Sequence, residues 1–318
     1  PAIPLQLKSQ DSSRLATSGN GWCHSSALAL PGFAFPPEHV ACSSRHTTLL
    51  IIGGGLTSAQ IADLALKHDH FNKVILLLRG HLKCKPFDVG NEWMGKYSNL
   101  HKMKFWQTEE PDERLEQLKS ARCGGSITPP YARVLKKWEA AGRLEVRTLS
   151  EIDHCEWDAE AKVNRVTIVT TADKVLAAGD NQRKETVIGR QALDVDYIVT
   201  ATGALLGFTD LPFLQEFSKQ NPISVYGGLP LLNEDLQWRK DVPLFAIGAA
   251  SALQIGPAAF NLGGIREAAD RVAVRLAEMS LSEETHGGEV EQRGESEESN
   301  DYPLSFTHFG FEALSMEA

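Results

Sequence analysis

Along this chain, apolar residues gather either into short continuous runs or into stretches at helical spacing, separated by Gly, Pro and polar segments. Residues 47–52, Thr-Thr-Leu-Leu-Ile-Ile, are a largely β-branched run ending in three glycines, which predicts a buried strand and a sharp turn. Directly after it, residues 56–67 place Leu56, Ile61, Leu64 and Ala65 at helical spacing. Residues 74–78 are continuously apolar, as in a strand that a parallel sheet buries on both faces. Strand, turn, helix and strand make one βαβ unit.

The remaining pattern is more broken. Residues 1–46, rich in Pro, Ser and Gly, are predicted to be an irregular arm or linker, and residues 80–110 look irregular too. Two helices are predicted, over 111–121 with Pro at its start and over 129–141 closed by Gly142. Residues 144–147, 152–157 and 163–170 alternate as an antiparallel meander would, and the polar stretch 172–192 reads as a loop. Residues 195–200 form another buried strand that ends in Ala201-Thr202-Gly203. A last strand over 243–247 leads through a loop into a long helix over about 257–279. Residues 280–303 have a disordered composition, the patch 306–311 is more apolar, and no internal repeat is found.

Composition narrows the function classes. With 318 residues, 42% hydrophobic and 23% charged, the chain can bury a sizeable core. Its net charge of -9 is concentrated late: eight acidic residues stand against Arg293 between Glu283 and Asp301. The rest is nearly neutral, which gives no footing for nucleic acid or an anionic membrane. No apolar run approaches the roughly 20 residues of a membrane span. Five scattered cysteines (Cys23, Cys42, Cys84, Cys123 and Cys155) form neither a zinc pattern nor a Cys-x-x-Cys. They fit a reducing compartment, and the expectation is a cytoplasmic protein.

The strongest chemical signal is Gly53-Gly54-Gly55-Leu56-Thr57-Ser58, a Gly-x-Gly-x-x-Ser between a predicted strand and helix. Gly53 permits the tight turn and Gly55 lets a pyrophosphate approach the backbone. Ser58 is small enough for the helix to pack on the sheet. The helix N-terminus adds free N–H groups and partial positive charge. At the end of the second strand, where NAD sites carry an acid for the ribose hydroxyl, this chain has Arg79, followed by His81, Lys83 and Lys85. A 2′-phosphate needs such a cation, so NADPH is expected over NADH; the plainer reading of Arg79 is a strand leaving for solvent. Ala201-Thr202-Gly203 closes a buried strand. Gly248 and then Gly256-Pro257 precede the last helix, whose Pro start leaves an open N-terminus. Gly263 and Gly264 within that helix, each costing about 1 kcal/mol against alanine, point to close approach of a cofactor or to tight packing. No Gly-x-Ser-x-Gly elbow, His-Glu-x-x-His or phosphate loop occurs, no His pair has ligand spacing, and no catalytic acid or base is named.

In this order, the three sites resemble the two-dinucleotide-binding flavoproteins, and within them the flavin-dependent lysine/ornithine N-hydroxylating monooxygenases. The glycine turn is similar to that family's NADPH loop, with Arg79 at its 2′-phosphate position. The 196–203 segment is similar to its strand ending in Ala-Thr-Gly, and 244–257 to its closing FAD segment. Two departures stand out: the first Gly-x-Gly-x-x-Gly, for the ADP half of FAD, is absent, and Ala249 replaces an Asp common in the family. The start at Pro1 resembles the stretch that follows that first domain, which implies a missing N-terminal FAD domain. FAD binding by this chain alone is therefore not expected.

The expected fold is α/β: a Rossmann-type parallel sheet with an antiparallel β-meander, plus the C-terminal part of an FAD-binding Rossmann domain. The expected division is an arm over 1–46, an NADPH domain over 47–203, an FAD-type portion over 204–280 and an acidic tail over 281–318. The resemblance implies an NADPH-dependent flavin oxidoreductase, of monooxygenase type, acting on a small-molecule substrate. Hydride would pass from NADPH to FAD before oxygen is activated. A reductase without oxygen insertion and a truncated nucleotide-binding remnant are the other two readings.

Overall fold

The computed structural model describes residues 21–93, 95–122, 124–172, 187–203, 207–208 and 211–287. The first elements are β1 (Trp22–His24), a one-turn helix α1 (Glu38–Ala41), β2 (Thr48–Ile52), α2 (Leu56–Lys67) and β3 (Lys73–Leu77). Three helices follow, α3 (Ser98–Gln107), α4 (Pro111–Arg122) and α5 (Pro129–Ala140). Then come β4 (Leu144–Arg147), β5 (Ser150–Asp158), β6 (Val163–Thr171), β7 (Val187–Val195) and β8 (Tyr197–Thr200).

Five of these strands build one parallel sheet in the order β1-β8-β2-β3-β4. The apolar runs of β2, β3 and β8 are continuous because both faces of the sheet are covered. Leu49, Ile51, Val74, Leu76 and Val199 face one way, onto Ala62 and Leu66 of α2 and Leu135 of α5. Leu50, Ile75, Leu77 and Ile198 face the other way, onto Val166 and Ile168 of β6. Burying each such side chain contributes about 1.5–3 kcal/mol, so the alternation fixes which layer lies on which face. The covering layer on that second side is the antiparallel sheet β5-β6-β7.

Four expectations are corrected. Residues 22–24, expected in an irregular arm, form β1, a three-residue edge strand that pairs with β8; so short a run carries no periodicity. Residues 144–147 belong to the parallel sheet beside β3 and not to the meander. An edge strand of a parallel sheet has one covered face, so it alternates as an antiparallel strand does. The third strand of the meander is instead β7, which begins within the stretch expected to loop out and runs three residues past it. Nearly all its residues are exposed, so no apolar pattern marks it. Helix α3, in a stretch expected to be irregular, fully buries only Phe105 and so lacks an apolar stripe.

Beyond the sheet, α6 (Pro212–Gln220), β9 (Val225–Tyr226), β10 (Leu229–Pro230), β11 (Gln237–Arg239), β12 (Val242–Phe245), α7 (Ala252–Ile255) and α8 (Leu262–Gly287) complete the described chain. Phe105 and Leu118 pack with Leu229, Trp238, Leu253 and Ile255 in a second core. The expected last strand is β12, which pairs antiparallel with β11. The long helix starts at Leu262, later than expected, because Asn261 accepts from the Gly264 amide at 3.1 Å and caps it there. It runs on to Gly287, into the segment expected to be disordered; residues 288–318, with the apolar 306–311 patch, lie outside the described residues. The chain up to Ala273 is one compact unit, and Val274 onward is counted apart. Among the described residues, no helix is long and apolar enough to cross a membrane.

Candidate functional site

The glycine turn sits where β2 hands over to α2, at the carboxyl end of the parallel sheet. The Gly53 amide donates to the Leu77 carbonyl at 3.0 Å, and the Ala201 amide donates to the Ile52 carbonyl at 2.8 Å. Three strand ends therefore meet at one point. Gly53 takes φ +141°, and a methyl group on it would lie 2.3 Å from the Ala201 oxygen. Only glycine fits there. Gly55 is the N-cap of α2, with no side chain to cap it and no acid in the first turn. The first-turn amides thus have no intrahelical acceptor and no capping side chain. Ser58 is fully buried and its hydroxyl lacks a hydrogen-bond partner.

Over the turn lies a cavity of about 850 Å³. Gly53, Gly54, Gly55, Thr57 and Arg79 line it, together with Ala201, Thr202 and Gly203. Leu56 and Ser58 do not; Ser58 packs beneath the turn, its hydroxyl 2.9 Å from where a Gly53 methyl would be. Arg79 is exposed at the end of β3, and among the described residues it has no ion-pair partner.

Gly248, Gly256 and Pro257 line neither this cavity nor a second cleft of about 760 Å³. Gly256 ends α7 at φ +93°, and a methyl there would touch the Phe105 ring at 3.5 Å. Pro257 is buried at the head of a one-turn helix, Pro257–Phe260. The close approach expected at Gly264 is backbone on backbone: a methyl there would lie 2.1 Å from the Ala258 oxygen. In the second cleft, Arg114 spends its donors on the Trp106, Thr108 and Leu253 carbonyls and on Gln254, which makes it a structural strut.

Sequence reasoning did not single out Ser25, Arg122 and the Ser150–Ile152 stretch, which also line the nucleotide-sized cavity. Gly125 lines it too and packs on the turn, with Gly55 Cα 3.1 Å from where its methyl would be. Arg122 follows directly on the helix predicted over 111–121, but nothing local to it or to Ser25 marks a cavity.

These residues fit a dinucleotide. Gly53, Gly54 and Gly55 line the cavity, α2 presents an N-terminus without a capping side chain, and Arg79 lines the same cavity with no ion-pair partner among the described residues. At Gly256 the backbone packs against the Phe105 ring in ordinary van der Waals contact, and neither Gly248 nor Gly256 nor Pro257 faces either cavity.

No protein-family model matches the sequence, and no curated protein matches it. Solved structures do. L-lysine 6-monooxygenase from Pseudomonas syringae is 20% identical with a TM-score of 0.56 over 87% of this chain and 61% of its own. Reduced ornithine hydroxylase from Pseudomonas aeruginosa is 18% identical, TM-score 0.57, over 87% of this chain and 59% of its own. The chain has their fold. The ornithine N-hydroxylase of Kutzneria, described with reduced FAD, NADP+ and L-ornithine, is 15% identical at a TM-score of 0.55, over 83% of this chain and 60% of its own. This chain therefore spans about three fifths of the length of these proteins.

Proposed function

We propose that the chain is the NADPH-binding part of a flavin-dependent oxidoreductase of monooxygenase type, acting on a small molecule in the cytoplasm. The observation that supports this best is the single cavity uniting the glycine turn, Arg79 and Ala201–Gly203 at the carboxyl end of a parallel sheet. That is the place where open α/β sheets bind ligands. In this reading residues 47–203 form the nucleotide domain and 204–280 the FAD-type portion. When bound, NADPH supplies hydride. The turn amides and the α2 N-terminus hold the pyrophosphate, Arg79 holds the 2′-phosphate, and Ala201–Gly203 form the wall beside them. The flavin half rests on the likeness to proteins such as the Kutzneria hydroxylase. We assign the ADP half of that flavin to other polypeptide, since among the described residues the Gly53 turn is the one glycine turn that joins a parallel strand to a long helix.

The test is a fluorescence titration of the chain with NADPH and NADH, with NADPH the tighter ligand. Next comes NADPH oxidation in the presence of FAD, with hydroxylated product and hydrogen peroxide measured against NADPH consumed. Oxidation without oxygenated product or peroxide favours a reductase. The lack of a second such glycine turn among the described residues favours a second reading, a nucleotide binder without redox activity, which nucleotide binding with no oxidation would support.

A further inference from the structure

Arg122 ends α4 and lines the nucleotide cavity, yet one of its donors is unused. Its Nη2 reaches Asp88 Oδ2 at 3.1 Å, and its guanidinium lies 4.2 Å from the Phe260 ring centroid. Its Nη1 is buried with no hydrogen-bond partner. A buried charged donor left unpaired is costly, so its place beside a cavity calls for an acceptor. Asp88 does not answer that need: its carboxylate is half exposed, which makes the pair a weak surface one.

The position of Arg122 specifies which acceptor. Gly125, three residues on, packs directly against Gly55. Three residues of chain span at most about 11 Å, so the Arg122 backbone stands within that distance of Gly125, which itself touches the glycine turn. Arg79 approaches the turn from a different segment, following Leu78, whose Cδ2 would lie 2.6 Å from a methyl on Gly54. Two arginines from separate segments thus line one cavity. A phosphorylated dinucleotide carries two separate anionic groups, the pyrophosphate over the turn and the 2′-phosphate beyond the ribose. The end of β3 assigns Arg79 to the second.

We propose that Arg122 is the pyrophosphate ligand, donating its free Nη1 to the diphosphate held over Gly53–Gly55. This rests on the dinucleotide reading above. Because the guanidinium also stacks on Phe260, the contact ties the bound nucleotide to the segment that carries Gly256 and Pro257. Arg122 therefore acts on any dinucleotide alike, whereas Arg79 discriminates between them.

The experiment titrates the wild-type chain, Arg122→Gln, Arg122→Lys and Arg79→Ala with NADP+, NAD+ and 2′-AMP, which has a 2′-phosphate but no pyrophosphate. Arg122→Gln is expected to weaken NADP+ and NAD+ by the same factor, about ten- to one-hundred-fold, and to leave 2′-AMP unchanged. Arg122→Lys, which keeps the charge, recovers part of the loss. Arg79→Ala shows the opposite pattern, weakening NADP+ and 2′-AMP but not NAD+. Unchanged 2′-AMP binding also reports that the variant is folded. Unaltered NADP+ and NAD+ binding by Arg122→Gln overturns the proposal, as does an equal loss for 2′-AMP. Both outcomes leave the dinucleotide reading standing. A wild-type chain that binds none of the three overturns that reading, and this proposal with it.

Discussion

Gly53 approaches Ala201 so closely that a methyl group on Gly53 would sit 2.3 Å from the Ala201 carbonyl oxygen. The contact joins the strand-to-helix turn of β2 to the end of β8, and the Ala201 amide closes it from the other side on Ile52. Two segments far apart in sequence thereby become one wall of one cavity.

Gly53→Ala meets that oxygen and must also adopt φ +141°, a conformation alanine rarely takes. The expected cost is about 1–3 kcal/mol for the backbone alone. A variant of this size should melt several degrees lower, at about 2–4 °C per kcal/mol. It should also lose nucleotide affinity, because the turn must move. Thermal melts with a parallel NADP+ titration decide it; an unchanged melting temperature contradicts the geometry.

Arg79→Ala removes the cation at the end of β3. We expect the variant to lose about 1.5–3 kcal/mol of NADPH affinity and to bind NADH as before. Titrating both nucleotides checks this, and equal affinities in the unmodified chain would remove the basis for assigning the 2′-phosphate to Arg79.

The four described thiols divide into two classes. Burial pushes the Cys23 thiol up to about 11, with a hydrogen bond to Tyr197 working against the shift, and burial alone does the same for Cys155. Both stay protonated through the neutral range, and the thiolate is the reactive form. Cys42 and Cys84 are exposed. Alkylation of the native chain near pH 8 should mark Cys42 and Cys84 and spare Cys23 and Cys155 until the chain unfolds, as peptide mapping would show. Rapid native labelling of Cys23 is the outcome that breaks this expectation.

Flavin retention is expected to be absent in this chain on its own. Among the described residues, the Gly53 turn is the one glycine turn joining a parallel strand to a long helix. A preparation that lacks flavin absorbance yet binds NADP+ is the predicted result. A yellow protein with stoichiometric FAD would falsify it.

The βαβ unit was legible in sequence for a plain reason. Strands β2 and β3 are buried on both faces, so their apolar runs are uninterrupted, and glycines fall where the backbone must turn. Arg79 was legible because its place follows from the end of β3. Of the strands that escaped notice, β7 lies at a sheet edge with most of its residues exposed, and β1, though Trp22 and Cys23 are buried, is too short at three residues to write a pattern. Strand β4 was seen but assigned to the wrong sheet, since alternation records one covered face and not the direction of a neighbour.

By itself, then, the sequence determined the local features of this protein: a glycine turn between strand and helix, and a cation at the end of the next strand. Only the tertiary structure decided what joins them. It brought Ala201 onto Gly53, packed Gly125 on Gly55 and delivered Arg122 to the same cavity. It also set Gly256 against the Phe105 ring. Propensity and periodicity act over a few residues along the chain, whereas these contacts depend on which strands pair and which faces pack, and that is settled by the burial of the whole core.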